Sequence, residues 1–217
     1  MIGGASILPK WVRMVTRSTD ERPQTVRCPL GSVTLCQSEQ WQEFEWRAKG
    51  LARPALLEAV NDFVNRIAYR SDEDNYGAAD YWASPREFFE KGGDCEDYVI
   101  SKYFILKHFG VAPTDMRMAV VVDEWLIHAI LIVVSDGNEF ILDNRFSLSN
   151  SEASMARYRL IYSFNEQFAW IHRNTVLKLN RPMPAASNSE VRPKPKPRKS
   201  ASSNLYDSDS YFGIFDR

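Results

Sequence analysis

Cys95 has sequence neighbours that suit a reactive thiol. It follows Gly92-Gly93-Asp94, and apolar residues recur after it at helical spacing, which predicts a helix with Asp94 as its N-cap. The free N–H groups and the dipole of such a helix start stabilise a thiolate and an acyl-transfer oxyanion. The two glycines would let a substrate approach the backbone closely. A lone cysteine is more often a small buried hydrophobe, so this position alone does not establish a nucleophile.

His128 and Asp143 are the residues whose predicted placement completes a thiol-hydrolase triad. His128 lies in an apolar strand, and the turn signal Asp136-Gly137 follows it. A two-residue turn there pairs Asp143 with Ile130, which places Asp143 diagonal to His128 on one sheet face. Asp143 would then orient the imidazole, and His128 would take the thiol proton. The alternatives are a core histidine bonded to a carbonyl, and a slip of the register by one residue.

The remaining histidines and cysteines are weaker candidates for chemistry. His108 lies at the far end of the cysteine helix, about 20 Å from Cys95 at the helical rise per residue. His172 lies at a predicted strand end, where we expect it to be exposed. Cys28 and Cys36 could form a disulfide in an oxidising compartment or stay as two free thiols. No CxxC pair is present in the sequence, which disfavours a structural zinc site.

Three carboxylates flank the thiol, and they oppose its ionisation. Asp94, Glu96 and Asp97 would raise the pKa of the thiol unless they point away from it or bind a cation. Carboxylate oxygens are calcium ligands, so the pattern indicates a metal site, with helix capping and solvation as the alternative. The segment that starts at Asp72 begins like an EF-hand loop, but its twelfth position is Ala83, which cannot be the bidentate ligand.

The composition limits the class of protein. The chain has 217 residues, 44% of them hydrophobic, and a net charge of -1, which suits one sizeable domain and disfavours a wholly basic nucleic-acid-binding surface. No apolar run reaches the roughly 20 residues of a membrane helix. The N-terminus lacks an apolar run long enough for a secretory signal, so we expect a cytoplasmic chain or a mature or truncated form of an exported one.

The order of predicted elements indicates an α+β fold with helices first and an antiparallel sheet after them. We expect an irregular segment over 1–39, a catalytic domain over 40–180, and a disordered basic Pro/Ser-rich tail with aromatic residues over 181–217. The predicted helices cover 40–49, 54–70, 85–91 and 95–109, with an acidic loop at 71–77. The predicted strands cover 116–122, 127–134, 139–143, 158–164, 168–171 and 176–179.

Several short motifs resemble the bacterial transglutaminase-like cysteine proteinases. The resemblance covers roughly residues 40–172. The motifs are Tyr81-Trp82-Ala83-Ser84-Pro85 with Glu87-Phe88, Gly93-Asp94-Cys95-Glu96-Asp97-Tyr98, His128-Ala129, Leu142-Asp143-Asn144, Val60-Asn61 with Val64-Asn65, and Tyr162-Ser163-Phe164-Asn165. The segment around Cys95 with its upstream tryptophan motif is specific, whereas the histidine and aspartate motifs gain weight from their order.

The resemblance implies a papain-like α+β fold with a triad of Cys95, His128 and Asp143. It also implies calcium dependence, with Asp94, Glu96 and Asp97 at the matching acidic positions. Relatives are periplasmic, cleave large surface adhesins near their N-termini in biofilm formation, and are bound by an inhibitory membrane receptor for cyclic-di-GMP. A transglutaminase-type acyl transferase and a non-catalytic calcium-responsive binding module are the alternative functions.

Overall fold

The computed structural model describes residues 2–3, 8–20, 29–150 and 157–172. The helices in this part of the chain are α1 (Pro9–Asp20), α2 (Val33–Cys36), α3 (Glu39–Ala48), α4 (Arg53–Val64), α5 (Asp72–Tyr76), α6 (Pro85–Lys91) and α7 (Cys95–His108). The strands are β1 (Ile2–Gly3), β2 (Met116–Asp123), β3 (Leu126–Ser135), β4 (Asn138–Leu142), β5 (Ser149–Asn150), β6 (Tyr158–Phe164) and β7 (Phe168–Ile171). They form an antiparallel sheet in the order β1-β7-β6-β2-β3-β4-β5, which confirms the predicted α+β class.

The β3–β4 hairpin has the register that its turn predicts. Asp136 and Gly137 have φ angles of 51° and 76°, and positive φ at both central positions is what a type I′ turn requires. Leu131 faces Leu142 across the ladder. Because side chains alternate between the faces of a strand, Asp143 follows β4 on the face that His128 shares. Local turn chemistry therefore determines how these two residues meet.

Helix α7 lies at the centre of the molecule. Asp94 and Asp97 form a capping box at its start, with the Asp97 carboxylate accepting the Asp94 N–H at 3.3 Å. The helix is buried on nearly every side because it packs against β3, α4 and α6. Gly110, with φ of 82°, follows its last turn as predicted.

The two glycines before α7 make room for the protein's own groups, not for a substrate as the sequence suggested. A Cβ on Gly93 would lie 2.2 Å from Oδ2 of Asp97. A Cβ on Gly92 would lie 2.4 Å from the carbonyl oxygen of Ala68, and Gly92 also has φ of 81°. The backbone N–H of Arg70 donates to the Gly93 carbonyl at 2.9 Å. These close approaches hold the start of α7 against the segment after α4.

The prediction that residues 1–39 are irregular is wrong for Pro9–Asp20, which form helix α1. Leu8, Trp11 and Met14 are buried at helical spacing. The Trp11 ring packs edge-on against Tyr103 of α7, with ring centroids 5.6 Å apart. The sequence did not predict this helix because three apolar residues in a polar segment give only a weak periodic signal. The residues that they pack against also lie far along the chain.

One helix boundary and one additional helix also differ from the prediction. The helix expected to end near Arg70 ends at Val64, where the backbone N–H groups of Arg66 and Ile67 bond three residues back instead of four. The Asn65 side chain that follows donates to the Asp143 carbonyl. The acidic segment expected as a loop contains α5. Ser71 caps α5 through its hydroxyl, and Gly77 ends it in the left-handed conformation with φ of 61°. Both caps were visible in the sequence, and the acidic composition between them obscured the short helix.

Some predictions concern residues outside the described ranges. The strand expected at 176–179 and the tail at 181–217 fall there, so the domain boundaries stay predictions. In the part of the chain that the structure describes, no helix is long and apolar enough to cross a membrane.

Candidate active site

Cys95 occupies the first position of α7, and its free thiol is buried with 7% exposure. The Sγ donates a hydrogen bond to Oε2 of Glu96 at 3.3 Å, and the backbone N–H of Ala129 in β3 lies near enough to the sulfur to favour its ionised form. Burial raises the pKa of the thiol, the carboxylates of Glu96 and Asp94 raise it further, and the Ala129 N–H opposes them. In this environment the protonated thiol is favoured.

His128 and Asp143 form a buried pair, as the hairpin register predicts. Nε2 of His128 lies 2.9 Å from Oδ1 of Asp143. The carboxylate also accepts the Tyr158 hydroxyl at 2.5 Å and the Arg145 N–H at 2.8 Å. Burial works against ionisation of Asp143, but the hydrogen bond and charge of His128, with the other two donors, hold its pKa below the ordinary value. Asp143 is therefore an anion with its lone pairs engaged.

The helix that carries the thiol packs against the strand that carries the imidazole. Ala129, whose N–H lies near the sulfur, directly follows His128, and α7 packs on β3. One cavity has Glu96, His128, Ala129 and Trp82 in its lining, with apolar side chains around them. The indole Nε1 of Trp82 is buried and has no hydrogen-bond partner among the described residues. The cavity thus combines a histidine, a helix start and an available N–H donor.

A cluster of buried carboxylates lies beside the thiol. It joins the predicted Asp94, Glu96 and Asp97 with two residues that the sequence did not indicate, Asp72 and Asp80. Ligand atoms lie within 4.8 Å of one another in the set of Asp72, Asp80 and Glu96 and in the set of Asp72, Asp94 and Asp97. Four of these five side chains belong to buried residues, and Asp80 is partly exposed. Carboxylates this close repel one another unless a proton or a cation lies among them.

The electrostatics of the cluster reflect that repulsion. Burial raises the pKa of Asp72 to about 7, and the neighbouring Asp94 contributes. Burial also raises the pKa of Glu96 and of Asp97 well above the ordinary range, again with a contribution from Asp94. The carboxyl groups of Asp72, Glu96 and Asp97 therefore favour their protonated forms.

Backbone N–H groups hold the cluster together from the segment between α5 and α6. The Tyr81 N–H donates to Oδ2 of Asp72, and the Ala83 N–H donates to Oδ1 of Asp97 at 2.7 Å. The Lys10 ammonium of α1 pairs with Oδ2 of Asp80. Burial lowers the pKa of Lys10, and the nearby carboxylates oppose that shift. Helix α1 therefore brings a positive charge to the edge of the cluster.

The donor set of the cluster fits a hard cation. Oε1 of Glu96, Oδ1 of Asp72 and Oδ1 of Asp80 are buried, and none has a hydrogen-bond partner among the described residues. Oxygen-only donors with several carboxylates suit Ca²⁺. The proximity of Asp72 and Asp80 to Glu96 could not be predicted from the sequence, because the chain between them carries no periodic signal. The nearest clue was the EF-hand-like start at Asp72.

The other candidate histidines and cysteines lie elsewhere. His108 Nε2 bonds to Oε1 of Glu45 at 2.7 Å, and His172 Nε2 bonds to Oγ of Ser163 at 3.1 Å. Cys36 is disulfide-bonded, and Cys28, which the sequence offers as its partner, lies outside the described residues. Neither histidine lines the cavity that contains His128.

Solved structures of similar fold come from Legionella pneumophila. Its calcium-bound LapG has 26% identity and a TM-score of 0.54, with 75% of this chain and 87% of that chain covered. EGTA-treated LapG has 26% identity and a TM-score of 0.53, with 73% and 84% covered. A further LapG structure has 25% identity and a TM-score of 0.53, with 77% and 92% covered. A search of curated proteins found no match.

A family model places the chain more directly. The model described as bacterial transglutaminase-like cysteine proteinase, BTLCP, matches residues 24–175, which is well over half of the chain. The matched segment begins after α1. It contains the Cys95 thiol, the pair of His128 and Asp143, and the carboxylate cluster. The chain therefore belongs to the bacterial transglutaminase-like cysteine proteinases and is a cysteine peptidase.

Proposed function

We propose that this peptidase is a calcium-assisted endopeptidase in which Cys95 is the nucleophile, His128 the base and Asp143 the residue that orients the histidine. The hydrogen bond between His128 and Asp143 carries the proposal, with Nε2 and Oδ1 2.9 Å apart in a buried setting. A carboxylate at one ring nitrogen holds the imidazole in one tautomer and orientation. Because Nε2 faces Asp143, Nδ1 is the nitrogen that accepts the thiol proton.

The proposed acyl transfer proceeds in two steps. The Cys95 sulfur bonds to the peptide carbonyl carbon, and the C–N bond breaks as His128 passes its proton to the leaving amine. The product of this step is a thioester on Cys95. Water then attacks the thioester carbonyl, its proton moves through His128 to the sulfur, and the thiol is restored with release of the carboxylic acid.

We assign the oxyanion site to the backbone N–H of Cys95 and the indole N–H of Trp82. The first belongs to the opening turn of α7, where helix geometry leaves N–H groups without intrahelical partners. Trp82 lines the cavity with His128, is 6% exposed, and its Nε1 has no partner in the described part of the chain. Three neighbouring backbone N–H groups are already bonded to carboxylates, in the pairs Tyr81–Asp72, Ala83–Asp97 and Ser84–Glu87.

We assign calcium to the carboxylate cluster, with Asp94, Glu96 and Asp97 joined by Asp72 and Asp80. Three buried carboxylate oxygens without partners in the described residues support this assignment, and so does the similarity to calcium-bound LapG. A bound calcium ion would neutralise negative charge beside the thiol. The Asp97 carboxylate itself holds the start of α7 to the segment around Trp82, because it accepts the N–H groups of Asp94 and Ala83.

The proposed substrate is a large bacterial surface protein, such as an adhesin cleaved near its N-terminus, and the proposed compartment is the periplasm. The disulfide at Cys36 supports an oxidising compartment. An inhibitory cyclic-di-GMP receptor is the proposed partner by analogy with the family. These assignments depend on the family resemblance more than on the site itself.

Site-resolved alkylation tests the proposal. Wild-type protein with calcium is treated with iodoacetamide, and labelled cysteines are mapped by peptide mass spectrometry. We expect rapid labelling of Cys95 and slow labelling in His128→Ala or after addition of EGTA. A Cys95 that labels no faster than an unfolded-state thiol would contradict the proposal and favour the non-catalytic binding module.

A further inference from the structure

Asp123 is a buried aspartate that the proposed mechanism leaves unused. It ends β2, is 3% exposed, and faces Tyr158 across the β2–β6 ladder. Val121, two residues before it, faces His128 across the β2–β3 ladder. Because alternate residues of a strand share a face, and paired residues share it too, Asp123 lies on the sheet face that carries His128 and Tyr158. A buried carboxylate at this position requires partners.

Two arginines from separate segments bind the Asp123 carboxylate. Nη2 of Arg145 donates to Oδ2 at 2.7 Å, and Nε of Arg157 donates to Oδ1 at 2.7 Å. Both guanidinium groups also lie over the Phe146 ring, at 5.5 Å and 4.3 Å from its centroid. Burial raises the pKa of Asp123, but the bonds and charges of the two arginines hold it below the ordinary value. Asp123 is therefore an anion that joins the segment after β4 to the segment before β6.

These two segments also carry donors to the Asp143 carboxylate. Arg145 follows Asp143 by two residues, and its backbone N–H donates to Oδ1 at 2.8 Å, while its Nε lies 3.7 Å from the same oxygen. Oδ1 is the atom that lies 2.9 Å from Nε2 of His128. Tyr158 donates its hydroxyl to Oδ2 from the start of β6. The bonds of Asp123 thus anchor the segments that contact both oxygens of Asp143.

We propose that Asp123 is a positioning residue for the base His128. It fixes the Arg145 side chain, and Arg145 in turn fixes the Asp143 carboxylate that orients the histidine. This inference rests on the proposed function, because it concerns the orientation of the base. Asp143 directly follows the last residue of β4, so contacts outside the ladder determine where its carboxylate points. Arg157 binds the other oxygen of Asp123, and no hydrogen bond joins it to Asp143 among the described residues.

Two arginine variants of the full-length protein test this route, because both arginines bind Asp123 and only Arg145 also binds Asp143. Arg145→Met and Arg157→Met each remove one bond to Asp123, so each should lower the melting temperature by about 3 °C. We expect Arg145→Met to slow alkylation of Cys95 by iodoacetamide about tenfold in the presence of calcium. Arg157→Met is the matched control and should leave this rate unchanged.

A double-mutant cycle tests whether Asp123 acts through Arg145. Asp123→Asn keeps the shape of the side chain but removes the charge that binds the two arginines. We expect it to slow alkylation about tenfold as well, and the double variant with Arg145→Met to be no slower than either single variant. If Asp123→Asn does not fold, the comparison of the two arginine variants decides the proposal by itself.

Nitrogen NMR of His128 separates positioning from a merely structural role. The chain has three histidines, so in ¹⁵N-histidine-labelled protein the variant His128→Gln identifies the His128 signals. The spectra are recorded at alkaline pH in the Cys95→Ala background, where no thiol exchanges its proton with the ring. We expect a protonated Nε2 and a free Nδ1, because Nε2 faces Asp143. Arg145→Met should bring the two signals closer together as the tautomers exchange, whereas Arg157→Met should leave them apart.

The outcomes distinguish this inference from the proposed function. Alkylation rates that do not differ between the two arginine variants, or His128 signals that do not respond to Arg145→Met, would overturn the positioning role and leave the proposed triad standing. Failure of wild-type Cys95 to label would overturn the proposed function, and the NMR comparison would still decide whether Asp123 positions the His128–Asp143 pair. Slower alkylation with Arg145→Met alone, together with His128 signals that move closer, supports the inference.

Discussion

Replacement of Trp82 by phenylalanine should separate acyl transfer from thiol reactivity. The indole stacks on Phe164 with ring centroids 5.9 Å apart and planes at 15°, and Arg17 bonds to the Trp82 carbonyl. A phenyl ring keeps the stacking and the backbone contact but removes the N–H. Loss of one oxyanion donor costs about 3 kcal/mol in the transition state, which corresponds to a fall of about a hundredfold in acylation rate.

Two probes of the same thiol make the test specific. Acylation of Cys95 by p-nitrophenyl acetate forms an oxyanion, whereas alkylation by iodoacetamide does not. We expect Trp82→Phe to slow only acylation, after subtraction of the rate of Cys95→Ala. Trp41→Phe is the matched control, since Trp41 is also buried but packs against Phe44 and Phe63 away from the cavity. Equal slowing of both reactions, or no slowing of acylation, would refute the assignment of Trp82.

Three further substitutions test the surroundings of the proposed triad. The stability from ionised Asp143 is present above the unfolded pKa and lost as pH falls towards its depressed folded pKa. Tyr158→Phe should therefore lower the unfolding free energy by about 2 kcal/mol at neutral pH, with a smaller difference below about pH 4, in urea titrations. Lys10→Met removes the ammonium that pairs with Asp80 and should tighten calcium binding about tenfold by calorimetry. Asp72→Asn removes a charged ligand and should weaken calcium binding about tenfold in the same measurement.

Each of these predictions has a matched control. Tyr98→Phe removes a hydroxyl that donates to the carbonyl of Ile67 at 2.5 Å, so its cost should not change between neutral pH and about pH 4. Lys107→Met breaks an ion pair with Glu166 away from the cluster and should leave calcium affinity unchanged. Asp62 is an exposed carboxylate of α4 outside the cluster, so Asp62→Asn should also leave calcium affinity unchanged. A pH-independent effect of Tyr158→Phe, or calcium affinities that do not respond to Lys10→Met and Asp72→Asn, would contradict these assignments.

The sequence predicts those parts of the site that depend on local backbone chemistry. Asp94 and Asp97 carry the signal for the start of α7, and the structure has the capping box there. Asp136-Gly137 carries the signal for the turn, and the turn determines the register that joins His128 to Asp143. These features need only neighbouring residues, so composition and spacing reveal them.

The sequence does not predict the contacts that come from distant segments. Tyr158 reaches Asp143 from β6, and Lys10 reaches Asp80 from α1. Lys102 looks like an ordinary helical lysine, and only the packing of other elements against α7 buries it. Such roles depend on tertiary packing, for which a single sequence carries no periodic or motif signal.

The proposed function requires that Cys95 cleaves a peptide bond with the aid of calcium. Mapping of new protein N-termini in a bacterial surface-protein extract tests it most directly, with wild type and Cys95→Ala each incubated with calcium or with EGTA. We predict new N-termini only for the wild type with calcium. Identical N-terminal profiles for the wild type and Cys95→Ala would contradict the claim.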